Sequence, residues 1–199
     1  LNEAKRPQLD REVHDLVARR WSPYGFDERP VSEEDLLALF EAARWAPSSF
    51  NEQPWRYLVA TQDNAVQFDR LLSCLTEGNQ KWARHAPVLA LGIVKRTFTR
   101  NGKPNKAAHH DLGLASAQLT LEATARGLFV HQMVGIVAAR ARELYDIPED
   151  HEAFTALAIG YAGRAPEDLA ERDRKRRTRR SVREFVFTGA FGVPLLRGS

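Results

Sequence analysis

Apolar residues recur along this chain at two periods, and the switches between those periods mark out its elements. Val13, Leu16 and Val17 lie at helical spacing and predict a first helix over 10–19. The loop RRWSPYGFDERPV ends it. Ser32 followed by Glu33, Glu34 and Asp35 reads as an N-cap with an acidic first turn, and Leu36, Leu37, Leu39, Phe40 and Ala43 give a second helix its buried stripe. Pro47 stops that helix. WRYLVAT, 55–61, then reads as a strand, 65–75 as a helix, and PVLALGIV, 87–94, as a strand whose near-continuous apolar run suits burial on both faces.

KRTFTRNGKPNK, 95–106, is polar and long, which predicts a flexible loop and a natural specificity element. In the helix expected over 107–126, Leu112, Leu114, Ala115, Leu119, Leu121 and Ala123 spread around much of the circumference, so it is either central or covered by a partner. Gly127 suits its C′ position. LFVHQ follows as a short strand, 138–145 as a helix and AFTALAIGYAG as another buried strand. Helices and strands interleave without an internal repeat or a dividing linker, so a single domain over 1–199 of mixed α and β class is expected.

Composition narrows this further. A chain of 199 residues that is 43% hydrophobic can bury one substantial core. One cysteine, Cys74, allows no internal disulfide, and no Cys/His spacing announces a metal, so a reducing, cytoplasmic setting without a bound metal is expected. The opening LNEAKRPQLDREVHDLVARR has no apolar stretch of the leader type, and no run approaches the roughly 18 apolar residues of a membrane span, so a soluble protein with no membrane partner is expected. Charge changes the picture at one place. ERDRKRRTRRSVRE, 171–184, holds eight basic and three acidic side chains, which leaves the rest of this +3 chain slightly acidic.

Four stretches carry candidate chemistry, each with a plainer reading beside it. In ARRWSPYGFD, Arg19, Arg20 and Ser22 can hold an anion, or simply form a solvated helix end. In APSSFNEQPW, Pro47, Ser48, Ser49, Asn51 and Gln53 offer donors and acceptors on a proline-restrained backbone, suited to the edge of a planar heterocycle or to a capped polar turn. In GNQKWARHAP, Lys81 is a cation for a ligand that gains negative charge, or a surface lysine. In the basic segment, Arg177 and Arg179 form a phosphate clamp, a nucleic-acid arm or a solvated tail, with REFVFTGAFG as an apolar anchor. The slightly acidic remainder argues against nucleic acid. HHD, at His109 to Asp111, lacks the spacing of a metal cluster, and neither G-x-G-x-x-G nor a Walker A sequence is present.

Taken in order, RRWSPYGF, APSSFNEQPW, NQKWARHAPV, LTLEATARGLFVHQMVGI, ALAIGYAG and RTRRSVREFVF resemble the nitroreductase family of FMN-dependent NAD(P)H oxidoreductases over nearly the whole chain. The resemblance implies an α+β fold, a three-layer α/β/α sandwich around a central mixed, mainly antiparallel sheet. It also implies a swapped-arm homodimer, with a C-terminal arm over about 167–199 and two FMN sites at the subunit interface. By the same resemblance, Pro47, Ser48, Ser49 and Asn51 are flavin contacts donated across the dimer, with Gln53 adding to them or holding the loop. Arg19, Arg20 and Ser22 are early FMN-binding residues, and Arg177 with Arg179 is the phosphate-binding pair. Lys81 approaches the pyrimidine edge with Asn79 as neighbour, and Met133, Val134 and Gly135 pass close to the ring. Two departures stand out. Tyr24 occupies a position where many members carry Arg or Lys, and Ser181 one where Pro is usual.

The activity implied is ping-pong hydride transfer from NADH or NADPH, through the flavin, to a nitroaromatic, a quinone or another small electron acceptor. No catalytic proton donor is required. Two alternatives remain: an FMN enzyme of the same fold with a different reaction (reductive dehalogenation, heterocycle oxidation or flavin breakdown), and a non-enzymatic binding protein that uses its arginine arm.

Overall fold

Strand β2, Val88–Lys95, divides its side chains between two apolar clusters and so sets the layering of the molecule. It lies inside a sheet with β1 (Trp55–Thr61), β3 (Phe129–Met133) and β4 (His151–Gly160), in the order β1-β2-β4-β3. Every pairing is antiparallel, so the mixed sheet implied by the resemblance is, among the described residues, antiparallel throughout. The structure is a computed structural model that describes Lys5 and residues 7–195. Its contacts separate two compact units, Arg20–Asp173 and the pair Leu1–Arg19 with Arg174–Ser199.

In the larger unit, Val88, Ala90 and Val94 share a cluster with Leu39 and Ala43 of α2 (Glu33–Arg44) and with Leu112, Ala115 and Leu119 of α5 (Ala108–Ala125). Leu89, Leu91 and Ile93 point the other way. They join Phe68, Leu71 and Leu72 of α3 (Ala65–Leu72), Trp82 and Ala83 of α4 (Glu77–Ala83) and Ala141 of α6 (Ala138–Tyr145). This is the α/β/α sandwich expected. Alternation along a pleated strand produces it, because successive side chains leave on opposite faces. Each fully buried leucine in those layers contributes roughly 1.5–3 kcal/mol.

One bulge interrupts the alternation. Gly92 pairs with Thr155 but Ile93 with Ala153, so Phe154 has no partner in the ladder. In regular alternation Phe154 would take the place opposite Ile93 and carry Ala153 to the wrong face; bulged out of the ladder, Phe154 is pushed outward, 39% exposed, and Ala153 stays on the Ile93 face.

Some elements differ from the sequence expectation. The first helix, α1, covers only Asp15–Arg19, because Val13 and Val17 remain 43% and 52% exposed and no packing sustains a longer one. Leu37 is exposed rather than part of the α2 stripe. Helix α3 stops at Leu72: the Cys74 N–H donates to the Leu71 carbonyl, and Leu75 leaves to bridge Ile136. Helix α4 is short and carries Gly78, too little for a period to register. A last short helix, α7, covers Ala170–Arg174. No helix among the described residues is long and apolar enough to cross a membrane.

In the terminal unit, the Arg177 guanidinium donates to the carbonyls of Lys5 and Ala18, and Lys5 Nζ donates to the Lys175 carbonyl at 2.9 Å. Ser181, where the family usually has Pro, opens a capping box: its hydroxyl faces the Arg183 N–H, while its own N–H donates to Glu184 Oε1 at 3.0 Å. The expected apolar anchor is not a buried one, since Phe185 and Phe191 are 61% and 95% exposed.

Candidate functional site

Between α2 and β1 the backbone enters the left-handed region three times, at Phe50 (φ 54), Asn51 (φ 55) and Gln53 (φ 50). Asn tolerates that conformation; a bulky aromatic does so at a cost of about 1 kcal/mol or more. Hydrogen bonds hold the loop in this shape. The Ser49 N–H donates to Asp111 Oδ2 at 3.0 Å, and the Gln53 N–H to Ser48 Oγ at 3.0 Å. Gln53 Nε2 donates to the Asn51 carbonyl (3.2 Å) and to Asn51 Oδ1 (3.0 Å). Gln53 therefore spends its amide on the loop itself. Among the described residues, the Ser48 and Ser49 hydroxyl hydrogens and the Asn51 NH₂ group have no acceptor and are left as donors.

Asp111, 2% exposed, is the residue that sequence reasoning missed. It sits in the first turn of α5, where the helix dipole favours a carboxylate, and its other oxygen lies 3.2 Å from His110 Nδ1. A signal was available: it is the one acid in the first turn of a long apolar helix.

A second tie runs from this loop to the segment 95–106. Glu52 Oε1 accepts the Thr99 N–H (2.8 Å) and hydroxyl (2.6 Å). Those bonds, with nearby Lys95 and Arg100, hold the Glu52 carboxyl below its usual range. Thr97 bridges Pro104, and the Asn105 N–H donates to the Arg96 carbonyl at 2.7 Å. The loop expected to be flexible is thus pinned inside and at its tip. It places Phe98 edge-on to Phe50, ring centroids 5.8 Å apart, with the Arg100 guanidinium 4.1 Å from the Phe50 ring centre.

At the exit of β3, Met133 is buried and Val134 is 70% exposed. The Gly135 carbonyl accepts from Asn79 Nδ2 (3.0 Å) and from the Thr76 N–H (3.0 Å). A Cβ on Gly135 would lie 2.4 Å from Asn79 Nδ2, so this close approach requires glycine. Asn79 Oδ1 in turn faces Trp82 Nε1 at 3.3 Å. The Asn79 side chain therefore buttresses the 133–135 segment. Lys81, two residues on, leaves the helix on another side, exposed and with no hydrogen bond or ion pair among the described residues.

Met133 and Val134 also line a cavity of about 270 Å³, with His109, Gly113, Ser116 and the bulged Phe154. Its floor is fixed from behind. Tyr57 and Ser116 share a hydrogen bond of 2.9 Å, and burial pushes the Tyr57 phenol up to about 12, so it stays neutral. Gln132 Nε2 donates to Thr120 Oγ1 at 2.9 Å. A larger cleft, about 800 Å³, lies by Phe26, Gln62, His85 and Arg164 and holds none of the candidate residues.

Arg20 and Ser22 lie together, Nη1 to Oγ 3.5 Å. Beyond them the chain is clamped: Tyr24 and Gly25 both donate backbone N–H groups to the Asp173 carboxylate at 3.0 Å. Tyr24 packs edge-on to His131 (4.7 Å) and Trp82 (5.2 Å). Its ring is thus core packing where the family often has a cation. Burial there pushes His131 down, against the Pro23 carbonyl and Asp173, which pull it up. In the terminal unit, Arg19 Nε lies 2.7 Å from Asp15 Oδ2. Arg177 is half-buried and Arg179 exposed, although positions i and i+2 of extended backbone would lie on one face.

The sequence profile of the nitroreductase family matches residues 17–161, which takes in every candidate residue except Arg177 and Arg179. The chain belongs to the nitroreductase family. It is similar to an uncharacterized 15.4 kDa protein of Mycolicibacterium smegmatis, 34% identical over 134 residues, covering 64% of this chain and 86% of that one. A crystal structure described as an oxidoreductase containing FMN superposes on this nitroreductase-family chain with a TM-score of 0.88 at 35% identity, covering 94% of this chain and 96% of that one. An FMN- and NADPH-dependent nitroreductase derived from Sphigopyxis sp. strain HMH shares the fold, with a TM-score of 0.69 at 22% identity over 89% of this chain and 98% of that one.

Proposed function

We propose that this protein is an FMN-dependent oxidoreductase, a homodimer that takes hydride from NADH or NADPH and passes it to a nitroaromatic, a quinone or a related small acceptor. The observation that carries this reading is the 35% identity, across 94% of the chain, to a structure described as an oxidoreductase containing FMN. The donor set fits the cofactor. The Ser48 and Ser49 hydroxyl hydrogens and the Asn51 NH₂ group take no part in the loop's own bonds, and a heterocycle rich in acceptors needs such donors. The apolar cavity at Met133 and Val134 suits a planar ring.

When bound, FMN supplies the hydride relay of a ping-pong reaction, accepting from the nicotinamide at N5 and giving to the acceptor. The chain supplies position and charge. Asp111 fixes the backbone that carries Ser48, Ser49 and Asn51, while Pro47 and Gln53 restrict it further. Asn79 fixes Gly135. Lys81, without a partner among the described residues, is a cation available to stabilise negative charge on the reduced ring. Arg19, Arg20, Ser22, Arg177 and Arg179 are the proposed partners of the phosphate. The exposed Phe185 and Phe191 suit an arm seated on a second copy, which would bring the Pro47–Gln53 loop to the partner's flavin. The single buried Cys74, its thiol pushed up by burial, suits a reducing, cytoplasmic setting.

Visible absorption of the purified protein, with the released chromophore identified by mass, tests the reading. FMN at about one per chain, bleached by NADH or NADPH and reoxidised by a nitroaromatic or quinone, is the expected result. A protein that takes up no flavin on reconstitution would overturn it. FMN that is never reduced by either nicotinamide would move the reaction to another chemistry of the same fold.

A further inference from the structure

Phe50 adopts a conformation that a bulky residue resists, and it gains no burial in return: its φ is 54, yet it is 73% exposed. Strain of this kind, unrelieved by packing, marks a position kept for contact with something else. Its neighbours are equally specific. Phe98 meets it edge-on at 5.8 Å, and the Arg100 guanidinium stands 4.1 Å from the Phe50 ring centre and 5.3 Å from that of Phe98.

The guanidinium lies against both rings, and its N–H groups are not used within the described residues. Arg100 has no hydrogen bond or ion pair among the described residues, whereas Lys95 donates to Thr99 Oγ1 at 2.8 Å and Arg96 to the Glu149 carbonyl. Glu52, the nearby carboxylate, is engaged by both Thr99 donors. Those bonds also join the two loops that carry Phe50 and Arg100, so the arrangement is set before any ligand arrives.

We propose that Phe50, Phe98 and Arg100 form a recognition face for a planar aromatic ring bearing an anionic group, a carboxylate or a phosphate. The ring stacks against exposed Phe50 and the anion takes the guanidinium rim, a pairing that a planar fork of donors favours over a point charge. Two sources share this chemistry: a carboxylated aromatic acceptor, and the 2′-phosphate-bearing adenosine of NADPH. The assignment of the face to substrate rests on the FMN oxidoreductase reading; its affinity for such a ring does not.

The test is equilibrium dialysis of the purified, FMN-reconstituted protein with two probe pairs, 4-nitrobenzoate against nitrobenzene and 2′,5′-ADP against 5′-AMP, with FMN content read separately by absorption. In at least one pair the more anionic probe is expected to bind about fivefold or more tightly, the effect of roughly one charge-assisted hydrogen bond. Preference in the first pair identifies an acceptor subsite, and preference in the second an NADPH subsite. Arg100→Ala should bring the ratio to about one, while Phe50→Gly should weaken both members of the pair alike. No preference in either pair, or a preference that survives Arg100→Ala, would overturn the proposal. If the protein holds no FMN, the same dialysis still decides the recognition face, and only its link to the flavin reaction falls.

Discussion

Asp111 Oδ2 accepts the Ser49 N–H at 3.0 Å, and this bond joins the first turn of α5 to the loop that enters β1. Asp111→Ala leaves that N–H unpaired and should cost about 1–3 kcal/mol in equilibrium unfolding. FMN affinity should fall by about tenfold or more, because the loop carrying Ser48 and Asn51 loses its anchor. Asp111→Asn keeps an acceptor and should retain most of both. Wild-type flavin binding by Asp111→Ala, in a fluorescence titration, would refute the positioning role.

Gly135→Ala places a Cβ 2.4 Å from Asn79 Nδ2 and 2.9 Å from Thr76 Oγ1. Overpacking of this kind costs about 1–3 kcal/mol. Adding Asn79→Ala removes the nearer obstacle, so the double variant should be more stable than the sum of the two single losses implies. Strict additivity in chemical denaturation would count against the contact.

His131 gives the fold a pH dependence with a definite sign. Burial lowers its pKa from 6.5, and its Nδ1 donates to the Pro23 carbonyl at 2.8 Å, so the folded ring is neutral. Its contribution is complete above 6.5. As pH falls from 6.5 toward the lower folded value, the unfolded chain takes up the proton first and stability drops. His131→Gln should be less stable at neutral pH and should lose less between pH about 7 and 5. Parallel slopes in thermal melts across that range would remove His131 as the cause.

Phe50→Gly removes left-handed strain from an exposed site. Stability should hold or rise by up to about 1 kcal/mol, where an ordinary Phe→Gly change lowers it. A marked fall in melting temperature would mean that Phe50 supports the loop.

Lys81 is exposed and has no partner among the described residues, so Lys81→Ala should change folding stability by less than about 0.5 kcal/mol. The potential of bound FMN should fall and its reduction by nicotinamide slow. Unchanged values of both would discard Lys81 as the tuning cation.

Much of this was legible in the sequence because local signals agreed with burial. WRYLVAT and Ala138–Tyr145 fall on β1 and α6 to the residue, and Ser32 caps α2 through the Asp35 N–H at 3.0 Å. The proline-rich loop announced itself by composition. What it lacked was any sign of its long-range anchors. Asp111 and Ser49 are 62 positions apart, and Glu52 and Thr99 are 47. Asn79 looked like a flavin neighbour, yet its amide is committed to Gly135, a contact set by packing between α4 and the end of β3. Tyr24 was visible only as a missing cation; that it seals His131 against Trp82 depends on three elements meeting.

The bulge at Phe154 makes one position of β4 different from every other. Removing a residue elsewhere in the strand would exchange its inward and outward faces. Removing Phe154 would instead leave Ala153 opposite Ile93 and Thr155 opposite Gly92, as they now are, in an uninterrupted ladder. The sheet can therefore lose one amino acid at that point without a change of register, and the loss would fall on the wall of the cavity. Length variation, usually confined to surface loops, has here a foothold in the middle of a core strand.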